Sequence, residues 1–295
     1  MPDVIIIGGG YAGMAAALQL LRARRDVLII DAGQRRNRFA SHAHGFLTQD
    51  GEDPAVIAAK ARAQIEAYPD LDWYEGEATR IDGEKGNFTV HLADGAAFAA
   101  SRVILALGVS DTLPDIPGLA ERWGQSVFHC PYCHGYELNR GRIGVIASGP
   151  EITGHVGLFS EWGAVTLLIN DAFTMNADHT AALRGHGITI EETKIAAIAG
   201  EAEVVLTDGR RLKPFAGLFV TSHATPATGI AQGAGLRLSE TPMGQQIDTD
   251  TLKETSRPGI YACGDAARVP HSLALAIADG SWAGATVHRS LVFDH

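Results

Sequence analysis

The sequence predicts an α/β protein built on parallel sheets, and three observations carry that prediction. A β-branched run, Val4-Ile5-Ile6-Ile7, enters a glycine-rich turn and is followed by a helical pattern and a second apolar run. The same succession of strand, glycine turn, helical stretch and strand recurs between Arg142 and Ile169. Near the C-terminus, residues 259–263 read as another strand, followed by a long helix from about His271 through Ser290. Short, continuously apolar runs bounded by glycine suit parallel strands covered on both faces.

Composition narrows the class. The 295 residues suffice for one large or two ordinary cores, and 46% of them are apolar, as in a soluble globular protein. A net charge of -10 without any Lys/Arg run leaves no basic face for nucleic acid or an anionic membrane. Three cysteines cannot build a disulfide framework. Met1-Pro2-Asp3 and the four apolar residues after it read as neither signal peptide nor membrane span. The expected setting is a reducing cytoplasm, with no nucleic-acid or membrane partner.

Along the first third of the chain, Val4–Ile7 leads into Gly8-Gly9-Gly10-Tyr11-Ala12-Gly13, Met14, Leu18 and Leu21 share a helical face, and Val27–Ile30 ends in Asp31. Gly8 permits the tight turn, Gly10 lets backbone approach a pyrophosphate, and Gly13 allows close helix–strand packing. Asp31 can accept a hydrogen bond from an adenosine ribose. Together these are the parts of a dinucleotide fingerprint, with Tyr11 and Ala12 at the helix start. The polar stretch Gly33–Gly51 is either a solvated loop or one from which Arg36, Asn37 and His44 reach the cofactor's phosphates or ring. Residues 52–68 read as an Ala-rich helix, and Asp72–Ala100 as short strands with turns at Asp82-Gly83 and Asp94-Gly95. Arg102–Gly108 reads as a buried strand with a glycine exit, followed by a linker marked by Pro114 and Pro117.

The Gly264-Asp265 pair at the end of the late strand can bring a carboxylate to a ribityl or sugar hydroxyl. The helix after it would offer its N-terminal amides to the negative charge of a reduced flavin. Between these segments lies His129-Cys130-Pro131-Tyr132-Cys133-His134, two cysteines two residues apart, each with a histidine on its outer side. Such a pair is a metal half-site or a redox dithiol. A structural zinc site needs a second pair of ligands, which the sequence lacks, so the redox use is expected and no metal.

In the order of its Gly8-x-Gly10-x-x-Gly13 turn, the Ala106-Leu107-Gly108 strand exit, the Cys-x-x-Cys and Gly264-Asp265, the chain resembles the low-molecular-weight thioredoxin reductase family of FAD flavoproteins. Cys130–Glu137, Arg36-Asn37 and His44-Gly45 are similar to the branch of gliotoxin- and holomycin-type dithiol oxidases. Leu107 departs from the Thr usual there. The resemblance implies two Rossmann-like domains, a homodimer, and FAD bound by residues 1–112 and 246–295. Residues 116–243 would be an inserted pyridine-nucleotide-type domain carrying the dithiol. It also implies Cys133 as the sulfur next to the flavin and Cys130 as the interchanging one. His134 stands where thioredoxin reductases hold an Asp proton donor; near neutral pH it could take as well as give protons, and His129 is a second candidate base. Either histidine could instead cap or pack the turn.

The insert's own glycine turn reads Ala147-Ser148-Gly149-Pro150-Glu151-Ile152, then a helical stretch to Trp162 and a strand at 165–169. A methyl at the tight turn, a bulky Ile152 and the Glu151 carboxylate all oppose a pyrophosphate. No arginine follows the strand to hold an NADP phosphate; Asp171 would repel it, though it could suit an NAD ribose. NADPH use is therefore doubtful, with the frame a retained scaffold. Cys263, Trp162, Trp282 and the isolated histidines His155, His179, His186 and His223 are expected to pack or face solvent. The expected activity is an FAD-dependent dithiol–disulfide oxidoreductase that oxidises a small-molecule or peptide dithiol through Cys130–Cys133, with oxygen reoxidising the flavin. The alternatives are a thioredoxin reductase using NAD(P)H or another donor, and a flavin-binding redox sensor.

Overall fold

A computed structural model describes residues 1–293; positions 294 and 295 of the expected C-terminal segment lie outside the described residues. Its first sheet is wholly parallel, in the order Ile260–Ala262, Arg102–Leu105, Val4–Ile7, Val27–Asp31, Leu71–Glu75. Side-chain alternation divides the apolar run at its centre. Val4 and Ile6 join the core under the helices, and Ile5 and Ile7 join the opposite core. All four are buried, each contributing about 1.5–3 kcal/mol. The first face carries helices Tyr11–Arg22 and Leu273–Phe293. The second is covered by the antiparallel strands Ala78–Glu84, Asn87–Leu92 and Ala97–Ala100, through Ile81, Phe88, Val90 and Leu92.

The expected turn at Asp94-Gly95 is present, held by Asp94 accepting from the Ala96 N–H at 2.9 Å. The turn expected at Asp82-Gly83 instead falls at Lys85-Gly86, because Gly83 stays paired with Phe88 within the hairpin. Helix Leu273–Phe293 begins two residues later than expected; the Ser272 hydroxyl accepts from the Leu275 N–H at 3.2 Å.

The two helices approach closely because of small residues. A side chain on Gly280 would collide with the Ala12 backbone, and one on Gly284 with Ala16. Ala12 and Ala16 are buried on the facing side. This contact joins the two ends of the chain, and so sets Gly264-Asp265 beside the Gly8–Gly13 turn.

A second parallel sheet runs in the order Thr189–Glu191, Ala164–Leu168, Arg142–Ile146, Gly217–Val220, Val127–Phe128. The chain passes to it through Val109–Thr112 and returns through His223–Pro226. These two passages pair antiparallel, from His223 opposite Thr112 to Pro226 opposite Val109. The expected linker thus begins with a strand. The helical stretch expected up to Trp162 is corrected: it consists of two 3-10 segments, Pro150–Gly154 and Val156–Glu161, and no α-helix. β-Branched Ile152, Thr153 and Val156 interleaved with Gly154 and Gly157 give poor α-helix propensity.

Replacing Gly280 with Val should force the helix pair apart, lowering stability by about 1–3 kcal/mol and weakening FAD retention. Thermal melts and flavin-to-protein ratios check this.

Candidate functional site

The Gly8 turn and Cys133 open onto one cleft of about 1270 Å³, measured with its solvent-open part. Lining it are Gly8, Gly10, Tyr11, Ala12, Asp31, Arg36, Asn37, His44, Gly108, Gly264, Asp265, His129, Cys133 and His134. Two of the residues expected at the site are not in its wall. Gly13 lies behind it, where a side chain would strike the Gly8 carbonyl. Cys130 lies outside the wall that holds Cys133.

At the nucleotide end, Gly8 has φ +105, and a side chain there would meet the Ala106 carbonyl. Gly10 begins the helix Tyr11–Arg22 with no side-chain cap, and a Cβ on it would point into open space. Uncapped amides next to a vacated Cβ position suit the close approach of a pyrophosphate. Asp31 accepts the Gly9 N–H at 2.9 Å, which stiffens the turn. Asn37 donates to the Tyr11 hydroxyl at 3.3 Å, and that hydroxyl donates to the Pro54 carbonyl at 2.9 Å.

Farther along, two buried acceptors in the cleft wall, Asp265 Oδ1 and Asn37 Oδ1, have no protein partner. Burial pushes the Asp265 carboxyl up to about 6, with Arg36 opposing the rise. Buried acceptors of this kind call for a donor, which the hydroxyls of a ribityl chain supply. Together with the glycine turn they fit FAD. Gly264 (φ +72) sits against the Ala12 methyl, and its N–H donates to Asp279 Oδ2 at 2.9 Å. Asp279 is in turn paired with Lys253 at 3.1 Å.

The dithiol lies on a single helical turn, Pro131–His134, with Cys130 as its extended N-cap residue. Gly135 closes that turn beneath Trp162, and the Trp162 ring meets Tyr132 edge-on at 5.1 Å. Trp162, expected merely to pack, props the reactive loop. Both cysteines are free thiols. The thiol of Cys133 and the N–H groups of Cys133 and Tyr132 all favour negative charge on Cys130, bringing its pKa down to about 7. Sharing that hydrogen bond drives Cys133 strongly the other way, assisted by burial.

The flanking histidines behave differently from the sequence expectation. His134 stacks on Phe128 at 4.2 Å, and burial, with His44 nearby, lowers its pKa to about 4. His129 lies against Trp123 at 5.8 Å and is lowered to about 3, by burial first and Arg36 second. Each is neutral at pH 7 and presents a proton acceptor; neither is poised to titrate near neutrality. His44 pairs with Glu137 at 3.5 Å and Asp50 at 3.7 Å, tying the 33–51 loop to the segment after the dithiol.

Arg36 reaches Asp111 and His271, and its Nε, Nη1 and Nη2 are all engaged by protein atoms. Neither Asp111 nor His271 was expected at the site. The sequence signals were slight: Asp111 lies just past the glycine strand exit, and His271 at the expected start of the last helix. Among the described residues, no group of three or more His, Cys, Asp and Glu is placed to hold a metal ion, and no helix is long and apolar enough to cross a membrane.

Comparison with known proteins gives a consistent picture. A family model described as pyridine nucleotide-disulphide oxidoreductase matches residues 2–280. An oxidoreductase from Agrobacterium tumefaciens is 51% identical over all of this chain and 99% of its own, with a TM-score of 0.96. HlmI is 33% identical over 99% of this chain and 92% of its own, with a TM-score of 0.91. The thioredoxin reductase tcpT of Claviceps purpurea is 29% identical over 99% of this chain and 95% of its own.

Alkylation of the reduced protein should fall first on Cys130. Its rate should have a midpoint near pH 7 and drop about tenfold per pH unit below that, as the thiolate is lost. Iodoacetamide labelling read by mass spectrometry checks both; preferential labelling of Cys133 would reverse the assignment.

Proposed function

Because the chain belongs to the pyridine nucleotide-disulphide oxidoreductase family, whose members bind FAD, we propose that it oxidises a small-molecule or peptide dithiol through Cys130 and Cys133. FAD held by the Gly8–Gly10 turn, Asn37 and Asp265 would supply a two-electron acceptor for the reduced cysteine pair, with dioxygen as the final oxidant and hydrogen peroxide as its product. The protein's own steps are thiol exchanges. One substrate thiolate attacks Cys130 Sγ of the Cys130–Cys133 disulfide; the S–S bond breaks and Cys133 leaves as thiolate. The second substrate thiolate attacks the substrate sulfur of this mixed disulfide and expels Cys130 as thiolate. The substrate departs as a disulfide, having lost two electrons and two protons; the cysteine pair has gained the two electrons. His134 and His129, neutral in the cleft, can accept hydrogen bonds from the substrate's thiols, whose two protons pass on to solvent because imidazoles lowered to about 4 and about 3 do not hold them near neutral pH. The low pKa of Cys130 makes it a good leaving group in the second exchange.

The direction of flow is supported by one observation above all. In the second glycine turn the Glu151 carboxylate lies over Gly149, and only 3-10 segments follow it. A pyrophosphate brought there would meet a like charge, without a helix N-terminus to receive it. Ser148 is also committed, donating to the Thr221 carbonyl. The alternative, a reductase driven by NAD(P)H, draws support from the relatives named thioredoxin reductases.

Mixing the oxidised holoenzyme without air decides between them. Dithiothreitol should bleach the flavin, and readmitted air should restore its colour with formation of peroxide, while NADPH and NADH leave it unchanged within the same time. Fast bleaching by NADPH would sink the oxidase reading. Cys130→Ser should retain FAD and lose thiol turnover by more than about a hundredfold, since the covalent route is gone.

A further inference from the structure

Arg36 sits where the segments of the site converge. Its Nε and Nη2 donate to Asp111 Oδ2 and Oδ1 at 2.7 and 2.5 Å, a two-pronged grip on one carboxylate. Its Nη1 meets His271 Nδ1 at 2.9 Å and lies 3.6 Å from Asp265 Oδ2. Asp111 belongs to Val109–Thr112, the strand by which the chain leaves the first sheet. Its Oδ1 also accepts from the Ser222 hydroxyl at 2.6 Å, and Ser222 immediately precedes the returning strand. The Arg36 and Asp111 side chains are only 16% and 5% exposed. One guanidinium thus fastens both passages between the two parallel sheets to the wall of the FAD cleft.

We propose that Arg36, with Asp111 and Ser222, is a positioning clasp: it holds the dithiol-bearing part of the chain so that Cys133 faces the FAD cleft, instead of serving as the phosphate or ring ligand expected from the sequence. The second sheet joins the first through the two paired strands, so a tether at Asp111 and Ser222 acts at the junction that sets how the dithiol-bearing part sits on the cleft. The charge balance agrees with a permanent grip. Burial opposes ionisation of Asp111, but the Arg36 fork and Ser222 outweigh it and keep the carboxylate ionised. The charged and titratable groups facing the guanidinium are Asp111, Asp265, Cys130, Cys133, His129 and His271. Lysine could keep the charge in this setting but could not grip both oxygens.

The inference rests on the reading that the cysteine pair passes its electrons to FAD, and its test separates the two. FAD-loaded Asp111→Asn and Arg36→Lys are compared with the parent protein for FAD content, for reduction of the Cys130–Cys133 disulfide by dithiothreitol, and for flavin bleaching without air. In the reduced holoenzyme kept without air, iodoacetamide labelling of Cys133 relative to Cys130 reports how far Cys133 has turned out of the cleft. Both variants should reduce their disulfide within about threefold of the parent rate yet bleach bound flavin at least about tenfold more slowly, because small displacements of a reacting group are costly. Relative labelling of Cys133 should rise about threefold or more, in proportion to its lost shielding. A merely structural pair would lower FAD content or melting temperature and leave bleaching per bound FAD unchanged; bleaching within twofold of the parent overturns the clasp, as does full recovery in Arg36→Lys. If both variants fail to fold, Ser222→Ala removes one tether and should slow bleaching about threefold; an unchanged rate there overturns the clasp. If dithiothreitol does not bleach the parent's flavin, the proposed function fails, while the Cys133 labelling ratio still decides the clasp.

Discussion

The site depends on how closely helix Leu273–Phe293 lies on helix Tyr11–Arg22. Gly280 and Gly284 on one side meet Ala12 and Ala16 on the other, so backbone touches backbone. A contact this tight is stabilised mainly by dispersion and close packing. It tolerates little change of volume, but it fixes the geometry well. It sets the unpartnered Oδ1 of Asp265 at a defined place relative to the amides at Gly10, although these residues stand at opposite ends of the sequence. Asp279, on the same helix, holds the Gly264 N–H and is itself neutralised by Lys253. Helix packing and a buried ion pair therefore cooperate in placing one short strand exit.

Around the dithiol the controlling physics is electrostatic. Arg36 stands among two carboxylates, two histidines and both sulfurs of the dithiol, all partly removed from water. Burial alone would make the nearby acids weaker and the histidines less basic, and Asp265, His129, His134 and His271 all move in those directions. Cys130 departs from the pattern because a neighbouring thiol and two backbone amides point at it. The outcome is a division of labour within one small turn. One sulfur is readily ionised and stands away from the cleft, the other holds its proton and faces it, and both adjacent bases are uncharged.

Much of the fold could be read from the chain because its signals are local. A β-branched run, glycines at fixed spacing and an acid at the next strand end together define one supersecondary unit, and the structure contains it with Asp31 bonded to the turn it follows. The redox nature of the cysteine pair rested likewise on spacing and on the lack of further ligands. What the chain did not disclose arises from contacts between distant segments. Asp111 carries little local sign of function beyond its place after the glycine strand exit, because its partner is 75 residues away in sequence. The effect on His134 comes from Phe128 stacking and surrounding bulk, which no residue pattern encodes. The stretch before Trp162 reads as helix because strand-turn-helix is the usual grammar of such a frame, whereas its composition of β-branched residues and glycine favours a tighter, shorter winding.

The strand Ile260–Ala262 lies beside Arg102–Leu105 in the first sheet. As the chain is made from its N-terminus, four strands of that sheet emerge early, and the edge of Arg102–Leu105 remains unpaired until the whole second sheet has been synthesised. An open, apolar parallel edge is a template for wrong partners. Pairing of Val109–Thr112 with His223–Pro226 brings the late segment back to the place it left, so the closure entropy of the long excursion has already been met when the last strand arrives. The carboxylate side of the nucleotide cleft is thus made after the other strands of both sheets, and a nascent chain that stalls before residue 260 would carry a complete glycine turn with no carboxylate opposite it.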